Sequence, residues 1–289
     1  MEPKADSPHE ADQNPSREGA KSASQFSPLV LIQQGTSGLP FFCVHGAGGN
    51  VLNLRDIARR LGTDQTFYGL QAQGVDGTAP LGTIEEMAEL YLPEVQRAHP
   101  GGPYLVGGYS GGGVVAYEMA QRLRRAGLEV SLLVLLDTFR AGIKPVATSV
   151  RDHLARFLQE GPRYLRRRAK AKLSRHVDEL SNVLKTRFYM SQGQPLPFEL
   201  RDLEMTRRFL EAADLYKPQP YLGPVTLYRA SQVALAFKHA GPKLGWDELT
   251  PRLEVVEVPG DHDTLVYEPN VNVMTSHLRN ALRKAAVAG

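Results

Sequence analysis

Serine is a poor nucleophile at neutral pH, and a chain that uses one must carry devices to activate it. The pentapeptide Gly108-Tyr109-Ser110-Gly111-Gly112 contains one such device. Before it runs the apolar stretch Tyr104-Leu105-Val106-Gly107, short enough for a buried strand. After it, from Val114 to Arg125, the residues Val115, Met119 and Leu123 recur at the spacing of one helix face. A serine between glycines at a strand-to-helix turn is a nucleophile elbow. The turn is so tight that side chains two positions either side of the serine would collide, and glycine removes the collision. The helix N-terminus behind the serine favours negative charge.

An activated serine needs a histidine to take its proton and a carboxylate to orient that histidine. Of the eight histidines, His239, His262 and His277 follow in the later part of the chain. His277 falls within a helical pattern and His239 in a polar loop. His262 lies in Pro259-Gly260-Asp261-His262-Asp263, directly after a strand-like run, on the end of the sheet where Ser110 should stand. The carboxylate is a choice. The run Leu132–Leu136 ends at Asp137, whereas Val225–Tyr228 has no carboxylate after it until Asp247. Asp137 is therefore assigned, with Asp261 and Asp263 as alternatives beside His262. Cys43 lies inside a strand pattern, which suits a core residue better than a nucleophile.

These residues need a scaffold, and the patterning supplies it. Strands are expected at Leu29–Gln33, Leu39–Val44, Phe67–Leu70, at the elbow, at Leu132–Leu136, Val225–Tyr228 and Leu253–Val258. Amphipathic helices are expected over Leu54–Leu61, from the capping box Thr83-Ile84-Glu85-Glu86 to about His99, and over Val273–Ala285. The fold class is α/β, and the order Ser, acid, His suits the α/β-hydrolase layout: a mostly parallel central sheet, helices on both faces and an inserted α-helical lid. The domain should span 27–289, with the lid at about 140–217, where the strand–helix rhythm breaks. Residues 1–26, nearly free of apolar side chains, read as a disordered tail or linker. The lid's first part carries Arg151, Arg156, Arg163, Arg166, Arg167, Arg168, Lys170, Lys172 and Arg175, either a solvated face or a landing surface for an acidic partner.

Composition narrows the rest. At 289 residues, 42% hydrophobic and a net charge of +3, the chain offers no case for nucleic acid. No stretch approaches the roughly 20 apolar residues of a membrane span. The single cysteine excludes an internal disulfide and, with a charged N-terminus starting at Met1, leads to a cytoplasmic expectation. No Cys, His and carboxylate cluster at metal spacing is present, and no cofactor is expected.

Several motifs together are more specific. His45-Gly46-Ala47-Gly48-Gly49, Tyr68-Gly69-Leu70-Gln71-Ala72, the elbow, Leu135-Leu136-Asp137, Tyr216-Lys217-Pro218-Gln219-Pro220-Tyr221 and Gly260-Asp261-His262 make the chain resemble the thioesterase domain that ends nonribosomal peptide and polyketide synthetases. The resemblance runs from about Leu29 to Ala285, with little match in the lid. It implies Asp137 as the acid, because that family places the acid one strand early. It implies the Ala47 and Gly111 N–H groups as the oxyanion hole, and release of an acyl, peptidyl or polyketide chain from a phosphopantetheine carrier protein by hydrolysis or macrocyclisation. The alternatives are a stand-alone editing thioesterase, which Met1 favours and Gly111 disfavours, a hydrolase of free esters, and a non-catalytic carrier-docking module.

Overall fold

The computed structural model describes residues 26–146, 181–189, 191–192, 194 and 196–288. All but the last residue of the expected tail, and the basic run of the lid, lie outside the described residues.

Among the described residues seven strands form one sheet: β1 (Leu29–Gln33), β2 (Ser37–Val44), β3 (Gln65–Leu70), β4 (Tyr104–Tyr109), β5 (Val130–Leu136), β6 (Val225–Ala230) and β7 (Leu253–Val258). Their order is β1-β3-β2-β4-β5-β6-β7; β1 pairs antiparallel with β3, and every other pairing is parallel. The elbow strand β4 is thus central, with Leu105 opposite Leu132 and Tyr109 opposite Leu136.

Alternation along the central strands divides the core in two. Phe42, Val44, Val106, Leu133 and Leu135 face one side, under α2 (Ile84–Ala98) and α3 (Gly112–Arg125). Phe41, Cys43, Leu105, Val134 and Leu136 face the other, under α1 (Arg55–Leu61) and the closing helix, α5 (Asn270–Ala288). Both faces being covered explains why these strands read as continuous apolar runs. Cys43 is fully buried and burial pushes its thiol pKa up, which leaves it an inert core residue.

The capping box is present: the Thr83 side chain accepts the Glu86 N–H at 3.1 Å, and the Glu86 carboxylate accepts the Thr83 N–H at 3.1 Å. The expected lid contributes helical residues 181–189 and α4 (Phe198–Leu215). After α4 the chain is clamped to α3. Tyr216 donates its hydroxyl to Glu118 at 2.8 Å, and Tyr117 donates to the Gln219 carbonyl at 2.7 Å. That clamp gives the Tyr216-Lys217-Pro218-Gln219 segment its structural work. No helix among the described residues is long and apolar enough to cross a membrane.

Several elements start earlier than expected: β2 at Ser37 rather than Leu39, β3 at Gln65 rather than Phe67, β5 at Val130 rather than Leu132 and α3 at Gly112 rather than Val114. The last helix starts at Asn270 rather than Val273. His277 lies within that helix, half-buried, with the Tyr228 hydroxyl 2.9 Å from its Nδ1.

Candidate active site

β4 is buried throughout, and the chain reverses at its end into α3. Ser110 sits at the reversal with φ +53°, in the left-handed region that costs an L-residue about 1–3 kcal/mol. Its N–H donates to the Leu136 carbonyl at 2.8 Å, which ties the turn to β5. A Cβ on Gly108 would stand 2.2 Å from the Gly112 carbonyl carbon, and one on Gly112 would stand 1.9 Å from the His45 oxygen. No side chain fits at either position, so the flanking glycines are demanded by backbone contact.

Asp137 ends β5, also left-handed at φ +48° and 3% exposed. Each of its oxygens has one task. Oδ1 accepts the Ala230 N–H at 2.8 Å, and Oδ2 lies 2.7 Å from His262 Nδ1. A carboxylate can only accept here, so Nδ1 carries the imidazole proton. His262 Nε2 is then bare and accepts the Ser110 hydroxyl at 2.8 Å. The Asp261 carboxylate is occupied elsewhere: it accepts the Thr264 hydroxyl at 2.6 Å and the Thr264 N–H at 3.0 Å, closing its own turn. Asp263 makes no hydrogen bond to His262 among the described residues. His239 lies in a short 3-10 turn, exposed, and lines neither cavity that Ser110 borders.

Burial pulls the His262 imidazolium down, but the Asp137 hydrogen bond and the charges of Asp137, Asp263 and Asp261 outweigh it, and the pKa is raised above the usual histidine value. A base so placed can remove the Ser110 proton as the oxygen attacks a carbonyl carbon.

Ser110 lies where two cavities meet. One, of about 580 Å³, is walled by Val114, Phe139, Ile143, Phe209, Ala213 and Phe237. The other, of about 260 Å³, is lined by the Gly46–Asn50 loop, Asn53, Asp202, Thr206 and Asp263. Ala47 borders the second and Gly111 the first. Neither the Ala47 nor the Gly111 N–H donates to a backbone carbonyl among the described residues. Lys144 Nζ meets Asp214 Oδ2 at 2.8 Å on the rim of the larger cavity, linking the segment after β5 to α4.

Sequence reasoning passed over two aromatic residues. Tyr109, inside the elbow motif, donates its hydroxyl to the His262 carbonyl at 2.8 Å and stacks on the imidazole, centroids 5.5 Å apart. Phe209, from α4, presses on the elbow: a Cβ on Gly111 would stand 2.2 Å from its ring. The first signal lay in the motif itself; the second, in a lid helix, had no local pattern to mark it.

Comparison with known proteins returned matches at three levels. The model of the thioesterase domain family matches residues 39–184. The polyketide synthase PksR of Bacillus subtilis is 37% identical over 134 residues, which cover 46% of this chain and 5% of the synthase. Indigoidine synthase of Streptomyces lavendulae is 27% identical over 289 aligned positions, covering 92% of this chain and 21% of that protein. The chain thus spans a small part of the curated relatives it matches. Among solved structures, a four-domain nonribosomal peptide synthetase bound to AMP and glycine superposes with TM-score 0.65 at 28% identity, covering 88% of this chain and 20% of that one. The NocB thioesterase domain, in covalent complex with a fluorophosphonate nocardicin G analogue, superposes with TM-score 0.60 at 26% identity, covering 85% and 95%.

Proposed function

The chain belongs to the thioesterase domain family, and from that premise we propose that it releases an acyl, peptidyl or polyketide chain from the phosphopantetheine arm of a carrier protein through an ester on Ser110. The observation that carries the reading is the continuous relay from Ser110 Oγ through His262 to Asp137, opening on a large apolar cavity.

His262 takes the Ser110 proton as the oxygen attacks the thioester carbonyl carbon. The Ala47 and Gly111 N–H groups receive the oxyanion, and two such donors account for a large share of the rate in serine acyl transfer. The tetrahedral centre collapses, the carbon–sulfur bond breaks, and His262 returns the proton to the leaving pantetheine sulfur. Water then repeats the sequence on the ester and yields the free acid; an internal amine or hydroxyl in its place yields a ring. The larger cavity suits the apolar part of the acyl chain. The smaller, polar one suits the amide-rich pantetheine arm. No metal or cofactor is assigned to the reaction.

The partners of the reading are a carrier protein and its acyl thioester, in the setting of natural-product assembly that the relatives' descriptions share. Its domain is the α/β body at 27–289 with a lid at about 140–217. A cytoplasmic setting is supported by the lone, buried Cys43.

Mass spectrometry of the protein mixed with acyl-pantetheine thioesters tests the reading, with Ser110→Ala alongside. Free acid or its dehydrated ring should appear with the wild type alone, and the acyl mass should map to Ser110. Equal product from both proteins would overturn it.

A further inference from the structure

The reaction does not use His45, yet this is the most deeply buried histidine beside the site, 1% exposed at the end of β2. A buried imidazole must have its polar atoms satisfied, and both of its nitrogens are. Nδ1 makes a close contact with the Gly46 carbonyl oxygen, and Nε2 lies 2.9 Å from the Tyr91 hydroxyl of α2. Burial, against the raising effect of the Gly46 carbonyl, pushes the His45 pKa down to about 4, so the ring is neutral and has a single proton. The Gly46 oxygen can only accept, which puts that proton on Nδ1. Nε2 must then accept, and Tyr91, whose hydroxyl is held protonated by burial, donates to it.

The peptide joining Gly46 to Ala47 is where this matters. In a trans peptide the carbonyl of one residue and the N–H of the next point in opposite directions within one rigid plane. Fixing the Gly46 oxygen therefore fixes the direction of the Ala47 N–H. Gly46 has no Cβ to resist rotation of that plane. Without His45, the Gly49 N–H, 3.0 Å from the Gly46 oxygen, is the remaining restraint on that oxygen among the described residues.

We propose that His45 is a positioning residue of the oxyanion loop: its Nδ1–H, with Nε2 held by Tyr91, locks the Gly46–Ala47 peptide so that the Ala47 N–H faces the carbonyl oxygen of the reacting thioester. The inference rests on the serine reading above and extends it to a residue that touches no substrate. Its signature is a transition-state effect, because the oxyanion forms only as the carbonyl is attacked.

Hydrolysis of an acyl-pantetheine thioester by the full chain is compared for the wild type, His45→Leu, His45→Asn and Ser110→Ala. Asparagine places its amide nitrogen near the position of Nδ1 and keeps the bond to Gly46. Leucine fills the volume and loses it. His45→Leu should lower kcat about 30- to 300-fold, with KM changed less than about threefold, the pattern of a lost or misdirected oxyanion donor. His45→Asn should recover at least about tenfold of that loss. Nitrogen-15 NMR of the wild type should find His45 protonated at Nδ1 and bare at Nε2 near neutral pH. A folded His45→Leu protein with near-wild-type kcat overturns the inference, as does an Asn variant no better than Leu, or a proton on Nε2. If the Leu variant does not fold, the Asn variant's kcat and the wild-type tautomer decide. Wild-type-like turnover by Ser110→Ala would instead overturn the serine reading, and that outcome cannot be confused with the others.

Discussion

The two cavities that meet at Ser110 are built from different parts of the molecule. The smaller is lined mainly by the loop that leaves β2, by the elbow and by the His262 turn, with Asp202 and Thr206 of α4 at its border. The larger is walled by α4, by the segment after β5 and by the turn around Phe237, all outside the strands. A sheet fixes the position of strand ends closely, because the strands are tied to one another by ladders of backbone hydrogen bonds, on both sides for β4 and β5 and on one side for β7. A helix laid over the sheet is fixed by side-chain packing and by a few contacts such as Lys144–Asp214, an exposed pair of the kind worth at most about 1 kcal/mol. In the proposed reaction the chemistry thus rests on the rigid part of the fold and the choice of acyl chain on the adjustable part. A change in the first should alter rate whatever the substrate; a change in the second should alter which substrate is favoured.

Ser110→Ala stands at the junction and has the largest expected effect. Removing the nucleophile should cost roughly four to six orders of magnitude in kcat. Both cavities remain, so affinity for an acylated carrier should change little. Single-turnover kinetics and a binding titration on the same variant check both halves. A parallel collapse of affinity would mean that the site had been damaged as a whole.

Asp137→Asn is the next largest. Asp137 has two oxygens and two donors to satisfy, the Ala230 N–H and His262 Nδ1–H. Asparagine has one oxygen. Its amide nitrogen must face a donor, which turns the imidazole to the wrong tautomer or leaves it unheld. A loss of about four orders of magnitude in kcat is expected, the same for long and short acyl groups. An Asp263→Asn variant with the greater loss would move the orienting role to that residue.

The same division governed what could be read without coordinates. Strand ends are legible: apolar runs of strand length, each finishing at a residue that can do chemistry, brought Ser110, Asp137 and His262 forward, and these are the three side chains joined by hydrogen bonds of 2.7–2.8 Å. Asp137 was legible because the apolar run of β5 leads straight into a carboxylate and that of β6 does not; the bonds from Thr264 that occupy Asp261 became visible only in the structure. The seven strands and the core helices follow from period alone, with helix starts displaced by a few residues where Asn270 or Gly112 continues a turn already begun. Phe209 was illegible for a different reason. It sits in a helix with charged residues on its exposed face, and what it touches, Gly111, is about a hundred residues distant in the chain. Contacts across such a distance depend on how the lid lies, and period says nothing of that.

Phe209→Ala sharpens the comparison from the adjustable side. The ring is 3% exposed and borders both the large cavity and a narrow cleft beside His45 and Met87. Its removal should join the two spaces. The ratio of kcat/KM for long over short acyl chains should rise by about tenfold, a shift of the size that a few methylenes in an apolar pocket supply. A large-to-small change in a packed site also costs stability, about 3–5 kcal/mol for a phenylalanine, so thermal unfolding must be followed alongside. A uniform fall for all chain lengths would place Phe209 with the rigid part instead.

The smallest effect concerns Asp263, exposed on the polar side. Its charge helps raise the His262 pKa, behind the larger contribution of Asp137. Catalysis needs His262 neutral, so kcat/KM should rise with pH through a limb lying above the ordinary imidazole value of about 6.5. Asp263→Asn withdraws one raising charge, and the limb should move to lower pH. Because Asp263 faces solvent, the displacement should shrink as salt is added. Stability should respond with the opposite sign. A raised folded-state pKa stabilises the fold fully below the unfolded value, and that gain is lost as pH rises through the folded one. The variant should therefore be less stable than the wild type with respect to this group at low pH, while being relatively more active there. An acid limb that stays in place would leave the raised pKa to Asp137 and Asp261, and one that moves equally at high salt would mean that the Asp263 charge acts through a path solvent does not screen.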